Sequence, residues 1–411
     1  MPLEIWIPYG ETEVRVGVRT ENLVGIAQPK SISTNLNPKL ALTEAISNIH
    51  GKRSLDKVLS HDDKVILAVD LPPTNKYFEL IDLLIFEILN LVDMNRVSVL
   101  WVQNDGWPPI QNGLKSDVKN FIILNRTQPE SFTAQERVEN NLTVCREFNE
   151  ASLRILVGKV GFDPVWGYTG GVKTLLSLIN NQAFTDFYRR SVLAQIENGS
   201  RDLDDAKDLE SILSPDGSSV MLSIVENIDG GIAGIFGGTF NESFRLSKEF
   251  IDEHCKIGLD RGVDILIVGA GGRPYDYTLF SSLDSAIMNM GVLKRGGVLI
   301  LAAECMGGCG SDVFREWMFK GCDPEKLKLV LKRNFEIGAE KAYLLTKLLD
   351  EFRLYLVSVM PDYYVKNIFK LKSSRTVNDA LQHAFRILGK ESEIAVAPYG
   401  SLTQTFIKPR P

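Results

Sequence analysis

Residues 264–304 read DILIVGAGGRPYDYTLFSSLDSAIMNMGVLKRGGVLILAAE. DILIVGA (264–270) is an aliphatic run of strand length, and GVLILAAE (297–304) is a second. Between them, glycines at 269, 271 and 272 precede a helix-period segment near 279–291. Strand, glycine-bearing loop, helix and strand is the pattern of a parallel sheet covered on both faces. Strands buried on both sides lose the alternation of apolar and polar residues.

The alternation continues on either side. Upstream lie KVILAVD (64–70), the helical YFELIDLLIFEILNLV (77–92), RVSVLWVQ (96–103), FIILN (121–125) and LRILVG (153–158). VMLSIVEN (220–227) and GIAGIFG (231–237) read as paired strands around IDGG, followed by a helix over 241–260. Downstream come helices near 311–319, 324–333 and 338–351, then the strands RLYLVSVM (353–360) and EIAVAP (393–398). The polar segment 199–217 reads as an exposed, partly helical loop. The predicted fold is α/β, with two domains, each a mostly parallel sheet flanked by helices. The predicted boundaries are an N-terminal α/β domain over 1–262, a Rossmann-like domain over 263–398, and a tail over 399–411 free to return to the first domain.

Composition narrows the class. The chain has 411 residues, 44% hydrophobic and 24% charged, with a net charge of −6, as expected of a globular protein with sizeable cores. No basic block is present, which argues against a nucleic-acid partner. Five cysteines, at 145, 255, 305, 309 and 322, are few and odd in number, so free thiols in a reducing compartment are expected. No apolar run reaches the length of a membrane span, and MPLEIWIPYG lacks the pattern of a signal peptide. A cytoplasmic location and no membrane partner are expected; the oligomeric state is left open.

FDPVWGYTGGVKTLLSL (162–178) places Lys173 after two glycines, at the head of an apolar run. Gly167, Lys173 and Thr174 fall on the spacing of a phosphate loop. Val172 stands where the second glycine must let the backbone wrap the phosphate, and the segment follows its strand only after about ten residues, so that role is disfavoured. A lysine in the first turn of a helix and a covalent anchor for a cofactor remain. The glycines at 269, 271 and 272 could admit an anion to a helix N-terminus, but Pro274 replaces the third glycine of the dinucleotide fingerprint. Cys305, Cys309 and Cys322 match no zinc spacing, and His50, His61, His254 and His383 are isolated from one another. Asp70, Asp163, Asp276 and Glu304 lie at strand ends or in glycine loops, where capping and loop hydrogen bonding are the ordinary roles.

Taken in order, these segments resemble the nickel-pincer lactate racemases and their relatives. IWIPYG (5–10) resembles that family's opening strand, VDLPPT (69–74) its D-x-T-R-P loop, and DPVWGYTGGVK (163–173) its H-x-x-x-G-x-x-G-G-x-K segment. Residues 271–318 resemble its GG-x-P-x-D-x-x-L-Y-Q-x-x-K-A helix, a strand ending in A-E-C, a glycine turn and an E-W-M-like helix. NFEIGAEKAYLL (334–345) is similar to a further helix. The resemblance implies two α/β domains with the site in the cleft between them. It also implies a nickel ion in a pincer made from a modified pyridinium mononucleotide, tethered through a lysine. That cofactor takes a hydride from the α-carbon of a 2-hydroxy acid and returns it to the other face. A general base accepts the hydroxyl proton, cationic or hydrogen-bonding groups hold the carboxylate, and a histidine completes the nickel coordination.

Carried over by position, the tether is Lys173, with Gly170, Gly171, Gly271 and Gly272 as expected cofactor-binding residues, and the D-x-T-R-P aspartate is Asp70. Other positions depart. The loop arginine falls on Pro73, and a G-x-H-R loop falls on NDGWPP (104–109), with Gly106 in place of histidine and Trp107 in place of arginine. The histidine ten residues before the tether becomes Asp163; the L-Y-Q tyrosine becomes Phe280, and the lysine four residues later becomes Asp284. The nickel-binding histidine falls near Arg189, which is not a ligand, so no metal-binding residue is assigned. Asp163 and Asp70 are the candidate catalytic groups, although a carboxylate is a weaker base than imidazole unless burial raises its pKa. Three readings follow. One is a racemase or epimerase of a 2-hydroxy acid using a lysine-tethered nickel-pincer nucleotide, with substrate and site altered. Another is a catalytically silent relative, with no such cofactor, that binds a small acidic or nucleotide-like ligand or a protein partner. The last is an unrelated α/β enzyme. Either of the first two expects Lys173, Asp70 and Asp163 to face one cleft.

Overall fold

The computed structural model describes residues 2–30, 36–47, 59–104, 107, 109–118, 120–125, 136–137, 143–179, 181–199, 218–321 and 323–409. An antiparallel hairpin of β1 (Pro2–Tyr9) and β2 (Thr12–Arg19) opens the chain, followed by β3 (Leu23–Ile26) and α1 (Pro38–Ser47). Then come β4 (Val65–Asp70), α2 (Asn75–Leu89), β5 (Val97–Gln103), β6 (Asn120–Asn125), the short β7 (Glu136–Arg137) and β8 (Thr143–Val144), and β9 (Leu153–Lys159). A two-strand turn of β10 (Phe162–Asp163) and β11 (Gly167–Tyr168) leads into α3 (Val172–Leu176) and α4 (Asn181–Asn198). β12 (Ser219–Glu226), β13 (Ile232–Gly238) and α5 (Phe240–His254) follow. The later elements are β14 (Lys256–Leu259), β15 (Val263–Gly269), α6 (Leu279–Asn289), β16 (Leu293–Ala302), α7 (Asp312–Lys320), α8 (Pro324–Arg333) and α9 (Ala339–Glu351). β17 (Arg353–Val357), β18 (Lys372–Ser374), α10 (Val377–Leu388), β19 (Ile394–Ala397) and β20 (Gln404–Ile407) complete the chain.

Two six-stranded sheets result. The first has the order β13-β12-β9-β4-β5-β6, parallel except where β13 meets β12. The second is β18-β17-β16-β15-β19-β3 and is parallel throughout. The fold is the predicted α/β type, two lobes of mostly parallel sheet flanked by helices.

The reading of KVILAVD shows why. Val65, Leu67 and Val69 enter one core with Tyr77, Ile81 and Leu84 of α2. Ile66 and Ala68 enter the opposite core with Leu156, Trp166, Leu175 and Met221. Each fully buried aliphatic side chain contributes roughly 1.5–3 kcal/mol. A charge at Leu67 would break the lobe. The second sheet repeats the arrangement: Ile265 and Ile267 face the β1–β2 hairpin and α10, while Leu266 and Val268 face α6, α7 and α9.

Two expectations need revision. Residues 2–26 were assigned to a first unit spanning 1–262, yet β3 is an edge strand of the second sheet and the hairpin covers that sheet's face. The helix predicted over 241–260 stops at His254, and Lys256–Leu259 is a strand paired in parallel with β20. A Cβ on Gly258 would lie 2.7 Å from Cγ of Lys408, so the close approach of the tail depends on that glycine. The tail therefore follows β14, and Asn289 of α6 accepts the Thr405 amide at 3.1 Å. The polar loop beyond Gly199, together with His50, Gly106 and Cys322, lies outside the described residues.

The lobes touch along an apolar seam, where Met288 of α6 packs with Val160, Phe162 and Ile251. Among the described residues, no helix is long and apolar enough to cross a membrane.

Candidate functional site

In open parallel sheets, the carboxyl ends of the strands are where ligands bind. Asp70 ends β4, Lys159 ends β9 and Glu226 ends β12. Asp163 and Lys173 come from the loop after β9. Asp163 serves two purposes there. Its Oδ1 accepts the amides of Val165 and Trp166, both at 2.8 Å, closing the turn between β10 and β11. Its Oδ2 accepts from Lys173 Nζ at 2.7 Å. Gly170 and Gly171 carry φ of +76° and +55°, and a Cβ on them would strike Val160 and Phe244 at 2.6 and 2.8 Å. Only glycine lets the chain reverse this tightly before α3. Lys173 Nζ also lies 5.5 Å from the Trp166 ring centre.

The charges reinforce one another. Burial favours a protonated Asp163, but Lys173 and the two backbone amides outweigh it and hold the carboxyl below the usual range. Burial likewise opposes the Lys173 ammonium, and Asp163, aided by Asp284 and Asp70, raises its pKa. Asp70 accepts from Asn104 Nδ2 at 2.6 Å. Burial does not make Asp163 a stronger base, as the sequence left open; the lysine prevents it.

The second lobe supplies the facing wall. Helix α6 packs against β10 and carries Asp284. Asp284 is paired with Lys341 of α9, whose ammonium also lies 4.6 Å from the Phe280 ring centre. Burial raises the Asp284 pKa, Lys341 counteracts this, and Asp163 across the gap adds to it. Asp284, where the resemblance implies a lysine, is thus paired with a lysine from another helix. Tyr188 of α4 bridges the lobes, its hydroxyl donating to Glu340 at 3.1 Å and its ring meeting Trp166 edge-on at 5.3 Å.

Lys341, Glu340 and Tyr188 escaped the sequence reading. The available signal was an adjacent Glu–Lys pair on an apolar helix, both buried in the structure. A second unforeseen cluster lies at the β9 and β12 ends. Buried Glu226 pairs with both Lys76 and Lys159; burial favours its protonation, but the two ammoniums hold its pKa down at about 2. Lys159 also donates to Tyr275 of the second lobe at 2.5 Å.

Gly272 lies against the β1–β2 turn, where Arg273 donates its amide to the Gly10 carbonyl at 3.0 Å and a Cβ on Gly272 would meet that oxygen at 3.0 Å, whereas a Cβ on Gly271 would lie 3.6 Å from the Tyr275 ring. Asp276 fastens the same loop, accepting the Gly10 amide at 2.6 Å. A groove of about 480 Å³ at the β18 edge, among Tyr355, Lys372, His383 and Arg386, is lined by none of the Lys173 or Asp284 groups.

The side chains do not fit a lysine-tethered nickel group. A covalent tether that neutralised Lys173 would remove the cation that balances the buried Asp163 carboxylate. Arg189 directs its guanidinium to the Lys332 carbonyl at 2.7 Å. The imidazoles of His254 and His383 stack on Phe250 and Tyr355 instead. Among the described residues, no three His, Cys, Asp or Glu side chains converge as a metal site.

Fold and site define a two-lobed α/β protein with a buried lysine–carboxylate pair contributed by each lobe where α6 packs against β10. Residues 260–402 match the lactate racemase C-terminal domain. The chain is 23% identical to the lactate racemase of Thermoanaerobacterium thermosaccharolyticum, over 96% of this chain and 97% of that one. It is 20% identical to the lactate racemase of Lactiplantibacillus plantarum over 191 residues, 44% of this chain and 43% of the other. The fold matches the lactate racemase apoprotein of T. thermosaccharolyticum with a TM-score of 0.81 at 22% identity, covering 98% and 100% of the two chains. A protein from Thermotoga maritima matches at 0.64 and 14% identity, covering 92% and 100%. Over nearly its whole length the chain is similar to a lactate racemase, and its second lobe matches that family's C-terminal domain.

Proposed function

We propose that this protein binds a small carboxylate-bearing molecule, a 2-hydroxy acid or a related ligand, in the crevice between its lobes, with Lys173 as a free ammonium and without the family's nickel chemistry. The observation that carries this reading is the Lys173–Asp163 pair. Its 2.7 Å contact keeps the lysine charged, which suits ion pairing and hinders covalent attachment. The same contact keeps Asp163 ionised but weakly basic, a poor acceptor for a hydroxyl proton.

The second reading is racemisation or epimerisation of a 2-hydroxy acid through a lysine-tethered nickel-pincer nucleotide. Retention of Lys173 in its two-glycine loop favours it. The mismatched donor set weighs against it, and no catalytic step is derived through that group.

Calorimetric titration with a panel of 2-hydroxy acids and other small carboxylates tests the proposal. Binding by the native protein and at least a tenfold loss in Lys173→Met are expected. Equal affinity in both proteins would overturn it. Chiral analysis of the recovered hydroxy acid addresses the second reading, which predicts inversion.

A further inference from the structure

The groove at the β18 edge is built by a helix laid over the last strands of the second sheet. Helix α10 buries Val377, Ala380, Leu381 and Ala384 against that sheet. Its 3.6-residue period then turns Asp379, His383 and Arg386 outward along one stripe, and all three are exposed. Pairing of β17 with β18 sets Lys372 directly beside Tyr355. The Lys372 ammonium lies 5.4 Å from the centre of the Tyr355 ring, and the His383 imidazole stacks on the same ring at 6.0 Å. The cavity of about 480 Å³ left there is floored by Tyr355, Leu371 and Ile387 and rimmed by Lys366, Lys372 and Arg386. Through Ser373, His383 and Arg386 it runs on into a second cavity of about 400 Å³, which reaches Arg375. A hollow of this size, with an apolar floor and a few converging polar groups, has the form of a small-molecule site.

The charge of this hollow opposes that of the chain. Among the residues lining the two cavities, the four cations Lys366, Lys372, Arg375 and Arg386 meet two carboxylates, Asp362 and Asp379, so positive charge is in excess by two. The whole protein carries −6. Asp362 is already engaged: Lys366 Nζ donates to its Oδ2 and the Ser373 hydroxyl to its Oδ1, both at 2.5 Å. Among the described residues, Lys372, Arg375 and Arg386 have no carboxylate within ion-pair distance. Unneutralised cations around a concave surface draw in anions. A guanidinium grips a phosphate through two parallel N–H···O bonds, and a phosphate monoester brings nearly two negative charges at about pH 7, where a carboxylate brings one. We propose that the groove binds a small phosphate monoester, its phosphate held by Arg386 and Arg375 and its organic group over Tyr355, Leu371 and Ile387. The apolar floor offers that group a place out of water, and Lys372 adds to the field that holds the phosphate.

The groove shares no residue with the Lys173 site, so this inference stands apart from the carboxylate reading. Full-length protein is titrated calorimetrically with phenyl phosphate, inorganic phosphate and benzoate. Phenyl phosphate is expected to bind at least tenfold more tightly than either of the others: inorganic phosphate lacks the organic group, and benzoate lacks the second charge. Arg386→Ala and Arg375→Ala, neither of which breaks an ion pair, should each weaken phenyl phosphate binding at least tenfold. Lys173→Met should bind phenyl phosphate as the native protein does. No binding of phenyl phosphate would overturn the proposal, as would equal affinity for inorganic phosphate or for benzoate. Binding that survives either arginine change, or that is lost in Lys173→Met, would place the ligand elsewhere and overturn it as well.

Discussion

Lys173 and Asp284 stand on opposite lobes as the open members of two ion pairs whose sheltered members are Asp163 and Lys341. Burying one charge of a pair while leaving the other near water makes the members unequal in energy. Removing the open member strands a desolvated charge, whereas removing the sheltered one leaves a charge that water can reach.

Asp284→Ala should therefore destabilise the protein by about 3 kcal/mol. Lys341→Met should cost only about 1 kcal/mol, since the solvent-accessible carboxylate rehydrates and the methionine fills the volume. Urea denaturation of both variants checks this. Equal costs would show that the pair is not oriented as described.

The Lys76–Glu226–Lys159 cluster makes stability depend on acid. The folded pKa of Glu226, about 2, lies below its ordinary 4.5, so the folded state binds the proton less readily than the unfolded chain. That contribution is fully present above about pH 4.5 and is lost as the pH falls toward about 2. Glu226→Gln should be less stable than the native protein at pH 7 by up to about 3 kcal/mol, and the gap should narrow as the pH falls toward about 2. Denaturation midpoints at several pH values supply the comparison; a gap independent of pH contradicts the pairing.

Gly171 has φ of +55° and no room for a methyl group, since a Cβ would lie 2.8 Å from the Phe244 ring. Gly171→Ala should cost about 2–3 kcal/mol and abolish ligand binding, because it moves the loop that carries Lys173. Gly230→Ala is the control: its φ is +79°, but a Cβ there meets nothing within 4 Å, so only the backbone preference of about 1 kcal/mol is lost. Thermal denaturation separates the two, and similar losses in melting temperature would mean that Phe244 gives way.

The central strands were legible because burial on both faces turns a strand into an uninterrupted aliphatic word, as in VILAVD. The end of α5 was not, since only the tail strand, far along the chain, makes KIGL extended. The glycines before Lys173 drew notice, but its role was assigned only through the resemblance of DPVWGYTGGVK to a family segment. Its relation to Asp163 depends on the β10–β11 turn that folds the nine intervening positions back on themselves. Lys341 was invisible as a partner of Asp284, because 57 residues separate them and only the packing of α9 on α6 unites them. Local sequence named Asp163 and Lys173, which the structure pairs. It missed the charges that two lobes bring together.

The most direct test is the intact mass of the chain after co-expression with the cofactor-making enzymes in nickel-supplemented cells, with peptide mapping across residue 173 and metal analysis of the same sample. A free-ammonium site predicts the unmodified polypeptide mass, an unaltered Lys173 peptide and no stoichiometric nickel. A mass increment on Lys173 accompanied by one nickel per chain would contradict it.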